Sequence, residues 1–277
     1  MILNICQNDY SIQWDGIYHF ALEDYPRIQP FELKKIALFL AYEKRHNRLT
    51  KLCCDNTTIL TQINDYLQKY QATYPFTPSQ KAVAATFDSN GQLVYSDYLS
   101  HTCTVSTAIA IFKTGSLLSA VKAFQLTGQE LVNSSRNAAG DPADYFDYVM
   151  FGWSNTTSGY RLAMERLLGR LPNQKELEDE FIPGVSFHYA YSQLIALDHY
   201  IFDGYHPAKI KHQVPLELMT ACIIPKANAL AFSKSIPKQL AAKVHYLEYD
   251  GDGLVQWNKK VYSYLLSISQ SDASSDS

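Results

Sequence analysis

The chain has 277 residues, 47% of them hydrophobic and 18% charged, with a formal net charge of −3 at pH 7. That balance belongs to a globular protein able to bury one large core or two small ones. It lacks the basic excess usual in proteins that live on nucleic acid. Five cysteines without a repeating interval argue against a disulfide framework and against a C-x-x-C zinc knuckle. The opening MILNICQNDYSIQWDG has no basic region followed by an apolar core, and no apolar run reaches bilayer-spanning length. The expected setting is the cytoplasm, with reduced thiols and no membrane partner.

Residues 1–30 read as irregular and aromatic, with Trp14, Tyr18, Phe20 and Tyr25 among polar neighbours. Pro30 then stands where a first helical turn accepts proline. Leu33, Ile36, Ala37 and Leu40 recur at helical intervals and predict a helix to about His46. Asn56 or Thr57 caps a second helix through about Tyr70, and Pro75 and Pro78 mark a connector. The first eighty residues thus predict an N-terminal helical extension.

After Pro78 the pattern turns to strands. Two arms, 82–87 and 92–98, flank an Asn90-Gly91 hairpin signal, and the second arm delivers His101 and Thr102. Helices over about 105–113 and 117–126 follow, the first stopped by Gly115 and the second begun by Ser116. A loop carries Arg136 through a Gly-Asp-Pro turn into the predicted strand DYFDYVMFGW, which holds Tyr145 and Tyr148. A helix over 160–168 ends at Gly169, and Asn173 with Glu176 forms a capping-box pattern. Val185, Phe187, Tyr189 and Tyr191 alternate with Ser186, His188 and Ala190, the period of a strand. Val214 to Ile224 reads as a long strand with Glu217 near its start, and Lys243 to Tyr249 as another. Leu254, Trp257, Val261, Leu265 and Ile268 stripe a last helix, and residues 269–277 read as a disordered polar tail. Strands scattered among short helices predict an α+β fold, with one domain over residues 81–268.

His188, His199, His206 and His212, with Asp198 and Asp203, lack any recognised metal-ligand spacing and read as ordinary hydrogen-bonded side chains. No nucleophile elbow, Walker motif or dinucleotide glycine fingerprint occurs. What remains is a dispersed polar set: His101, Thr102, Arg136 and Glu217.

The stretch HTCTVSTAIAIFKTGSLLSA resembles the opening strand and helix of ADP-ribosyltransferases, in which a His-Thr pair is followed by a helix and a Gly-Leu step. SRNAAGDPADYFDYVMF is similar to the segment of DarT-type enzymes in which an arginine precedes an acidic, aromatic strand, and VPLELMTACIIP to their late strand with its catalytic glutamate. The matches are short, lie over roughly residues 95–250 and keep the family's order. The resemblance implies a split antiparallel β-sheet core with surrounding helices, and NAD as substrate in the cleft between the sheets. It gives Glu217 the ribose and its developing positive charge, and Arg136 the diphosphate or ribose edge. His101 takes the adenosine-side ribose, Thr102 or its neighbouring backbone the nicotinamide amide, and Gly115 a place beside the cofactor. Tyr145, Tyr148 or Tyr189 supplies the wall on which nicotinamide stacks. Pro215 stands two residues before Glu217, so the paired-glutamate signature of arginine-modifying relatives is absent. The acceptor (protein, nucleic acid or small molecule) is left open. Two other expectations stand beside this one: an inactive nucleotide-binding or interaction module of the same shape, and an unrelated scaffold acting through an exposed Trp14–Tyr18 patch.

Overall fold

Asp15 and Gly16 close a two-residue hairpin. Both take positive φ (48° and 72°), as a primed turn requires, and strands Ile12–Trp14 and Ile17–Ala21 leave it antiparallel. The computed structural model describes residues 1–8, 11–73, 86–87, 93–94, 96–135, 137 and 140–275. Residues 74–80 of the expected connector, the Asn90-Gly91 turn and Arg136 lie outside the described residues. Strands Thr86–Phe87 and Leu93–Val94 do pair antiparallel. The described residues fall into two compact units interleaved along the sequence. One comprises Met1–Tyr95, Ser119–Phe151 and Ile195–His212; the other comprises Ser96–Leu118, Gly152–Leu194 and Gln213–Ser277.

In the first unit the N-terminal residues are a helix-covered sheet, where a helical extension was expected. Strand Ile2–Cys6 lies between Ile17–Ala21 and Lys51–Cys54 and is parallel to both. Leu3, Ile5, Tyr18 and Phe20 point to one face and pack with Ile36 and Phe39 of helix Pro30–Arg45 and Ile59 and Ile63 of helix Thr57–Lys69. The second helix starts as the sequence predicts, with the Asn56 side chain accepting from the backbone N–H groups of Thr58 and Ile59. Tyr18 is fully buried, and Trp14, paired with Ile17, belongs to the opposite face. The exposed Trp14–Tyr18 patch is therefore absent. Further along, strand Ala208–Lys211 pairs antiparallel with Tyr200–Ile201 and with Tyr148–Phe151. The expected strand over DYFDYVMFGW begins only at Tyr148, after a 3-10 turn over Ala143–Asp147.

In the second unit, strand Val185–Ala190 pairs antiparallel with Tyr98–Cys103 and with Ala221–Pro225, which runs parallel to Val244–Leu247. Helix Val105–Thr114 is followed by the short strand Ser116–Leu118, and Ser119 then caps helix Ala120–Phe124 of the first unit. Ser116–Leu118 pairs with Gln213–Pro215, so the helix expected to begin at Ser116 starts one turn later. Phe112 of helix Val105–Thr114 packs on Phe187 on one face of the larger sheet. On the other, Tyr160 of helix Ser158–Leu168 meets Ser186 and Trp257. The last helix, Gly253–Ser275, continues through residues expected to form a disordered tail. Among the described residues eight strand pairs are antiparallel and three parallel, so the fold is mixed helix and sheet with the mainly antiparallel pairing expected, and the parallel pairs lie in the N-terminal sheet and at Ala221–Pro225 with Val244–Leu247.

Candidate functional site

His101 and Thr102 are neighbours on one strand and so face opposite sides of the sheet. Register places His101 opposite Phe187 and Leu99 opposite Tyr189, with Cys222 next to Phe187 on the following strand. His101 and Tyr189 thus share a face in diagonal positions, where Cβ atoms stand about 7–8 Å apart. Thr102 pairs with Ser186 on the other side. A Cβ built on Gly159 would come within 2.7 Å of the Thr102 Oγ1, and that buried oxygen has no hydrogen-bond partner among the described residues. The Thr102 hydroxyl, read as a nicotinamide contact, is turned away from His101's face.

Glu217 is exposed, in a 3-10 turn over Leu216–Leu218 between two short strands. The turn replaces the continuous strand expected there because Leu216 and Met219, three residues apart, are both fully buried. Four bonds fix it. The Leu216 N–H donates to the Gly115 carbonyl (3.0 Å), the Thr220 N–H to the His188 carbonyl (2.8 Å), and the Lys243 ammonium to the carbonyls of Glu217 (2.7 Å) and Met219 (2.8 Å). Gly115 itself closes helix Val105–Thr114 at φ 71°, a left-handed cap that suits glycine. The Tyr189 hydroxyl is pushed well above its usual range, first by burial and then by the nearby Cys222 thiol and the Glu217 carboxylate. His101, Gly115, Tyr189 and Glu217 are therefore held by one unit, two on a common sheet face and two at the turn whose charge Tyr189 feels.

Tyr145 and Tyr148 belong to the first unit. Tyr145 is fully buried, its hydroxyl donating to Glu43 Oε1 (3.5 Å) and the Lys209 ammonium lying 3.5 Å from its ring centroid. A ring covered by a buried cation is no stacking wall for nicotinamide, which corrects that expectation. Tyr148 is half-buried, its ring centroid 5.1 Å from the same ammonium. Around them lies a charged cluster in which Asp203 and His206, expected as ordinary hydrogen-bonded side chains, meet Lys209, which the sequence gives no sign of. Asp203, fully buried, accepts through Oδ1 from the backbone N–H groups of Tyr205 (2.9 Å) and His206 (2.7 Å). Its Oδ2 lies 2.7 Å from His206 Nδ1 and 3.5 Å from Lys209 Nζ. Burial alone would raise the Asp203 carboxyl, but His206 and Lys209 outweigh it and hold the group below the usual carboxylate range. Burial lowers the Lys209 ammonium, and Asp203 opposes that shift. Beside them Arg48 grips Glu43 with both arms of its fork (2.8 and 2.7 Å) and reaches Asp144 at 2.7 Å.

Comparison with protein-family models, with curated proteins and with solved structures finds no match. The site stands on its geometry.

Among the described residues no group of three or more His, Cys, Asp or Glu could hold a metal ion, and no helix is long and apolar enough to cross a membrane. A different polar chain lies behind the candidate site. Ser154 Oγ and His188 Nδ1 are 2.9 Å apart, His188 Nε2 and Ser186 Oγ 2.8 Å, and Ser186 Oγ and the Tyr160 hydroxyl 2.8 Å. Period-two alternation placed Ser186 and His188 together on one face, but nothing in the sequence gave them Ser154 and Tyr160 as partners.

Proposed function

We propose that the chain cleaves the nicotinamide–ribose bond of NAD and passes ADP-ribose to an acceptor or to water. The observation that carries this reading is Glu217 itself: exposed, in a turn whose backbone is bonded at both ends and at the Glu217 carbonyl, in the same unit as His101. The C1′–N bond breaks with its electron pair going to the nicotinamide nitrogen, which discharges the pyridinium and leaves an oxocarbenium-like ribose. Glu217 stabilises that charge and holds the ribose hydroxyls. The acceptor's oxygen or nitrogen then bonds C1′ and gives its proton to Glu217 or to water. His101 takes the adenosine-side ribose and the Gly115 turn borders the nicotinamide side, while Tyr189, fully buried, is no open stacking wall. In this reading the antiparallel strands Tyr98–Cys103 and Val185–Ala190 belong to a split-sheet core of ADP-ribosyltransferase type. The five free thiols fit a cytoplasmic setting.

Glu217→Gln keeps the side chain's shape and removes its charge. It is expected to slow nicotinamide release about 10²–10³-fold, and release at the wild-type rate would overturn the proposal. The burial of Tyr145 and the turned Thr102 hydroxyl favour a second reading, a nucleotide-binding or protein-interaction module without turnover. NAD binding with no nicotinamide released separates it from the first.

A further inference from the structure

We infer that Lys243 is the positioning residue for Glu217, an inference that rests on the proposed transferase reading and deepens it. A 3-10 turn of three residues has poor internal hydrogen-bond geometry and keeps its shape through outside partners. At its start the Leu216 N–H is tied to the Gly115 carbonyl, and just beyond its end the Thr220 N–H is tied to the His188 carbonyl. Between them the carbonyls of Glu217 and Met219 both accept from one ammonium, at 2.7 and 2.8 Å. Lys243 closes the 3-10 segment Lys238–Lys243, and the next residue, Val244, opens a strand in register with Cys222. Its backbone is thus set beside the chain that leaves the turn, and its stem runs back along it. Lys243 forms no ion pair among the described residues, and both of its assigned bonds go to backbone oxygens, one of them the carbonyl of Glu217 itself. Charge-assisted bonds of this kind are about twice as strong as neutral ones. Two from one side chain fix the φ/ψ of the residue whose carboxylate must meet a ribose within a few tenths of an ångström.

The test uses the full chain with Lys243→Met, which keeps the stem and removes the donors, and Lys243→Arg, which restores a charged donor. Backbone amide exchange at Leu216, Met219 and Thr220 reads the tether, and nicotinamide release from NAD reads its consequence. Lys243→Met is expected to speed exchange at these amides roughly 10–100-fold. It should also lower kcat at least about tenfold while KM for NAD stays within about threefold. Lys243→Arg should recover most of both, with the thermal midpoints of the two variants close together. Unchanged exchange, or faster exchange with wild-type kcat, overturns the inference while leaving the transferase reading intact. A wild-type protein that releases no nicotinamide overturns that reading and this inference together, whatever the exchange shows.

Discussion

Lys209 has no solvent exposure, and its ammonium is neutralised by a carboxylate 3.5 Å away and a tyrosine ring whose centroid is 3.5 Å away. Removing one partner of a buried pair costs more than the pair contributes, because the survivor is left charged in a poor solvent. Asp203→Ala strands Lys209, His206 and two backbone N–H groups, and should cost about 3–5 kcal/mol. Lys209→Met leaves Asp203 with His206 and its backbone donors and should cost clearly less. Urea unfolding of both variants checks the order; a larger loss for Lys209→Met would contradict it. His188 makes a pH prediction. Burial lowers its imidazole to about 3 in the folded protein, against about 6.5 in an unfolded chain. The folded value lies below the unfolded one, so this contribution is fully present above about pH 6.5 and is lost as pH falls toward 3, by about 1.4 kcal/mol per unit. His188→Gln should be less stable at pH 7 and show a flatter decline between pH 6.5 and 4. A slope unchanged by the substitution would contradict the assignment.

At the scale of elements, the hairpin at Asp15-Gly16 shows what a sequence reading can see and overlook. Leu3 and Ile5, and again Tyr18 and Phe20, stand two apart and point to one buried face, and Asp-Gly is a strong short-range hairpin signal. Both marks were legible, but polar residues and a dense aromatic count masked them. Gly16→Val forces a β-branched residue to φ 72° and should cost about 1–2 kcal/mol. Amide exchange in Ile2–Cys6 and Ile17–Ala21 should quicken, and an unchanged urea midpoint would contradict that origin. The helices were read better because their caps are local chemistry: Pro30 at a first turn, Asn56 at an N-cap, and Asn173 with Glu176 in a capping box. The turn at Glu217 was misread as strand. Val214–Ile224 is β-prone throughout, and only the shared burial of Leu216 and Met219 reveals the period of three.

Over the whole chain, legibility follows sequence distance. His101 and Tyr189 lie on neighbouring strands whose alternation and order could be read, and Glu217 could be named from its place in a motif. Lys209 meets the Tyr42 hydroxyl across 167 residues, and no periodicity announces such a meeting. The two units each draw on separated stretches of chain, a division that the change of pattern near residue 80 does not disclose. The central claim is that the proposed NAD site lies where half-buried His101 and the exposed Glu217 turn of the second unit reach the surface, at the margin of the buried face that holds Tyr189. Mapping resonance shifts of the isotope-labelled full chain during an NAD titration tests it most directly. Saturable shifts should gather at His101, Gly115, Tyr189 and Leu216–Thr220, leaving Thr102 and Ser154 on the opposite side nearly still. Shifts confined to other residues, or none at millimolar NAD, would contradict it.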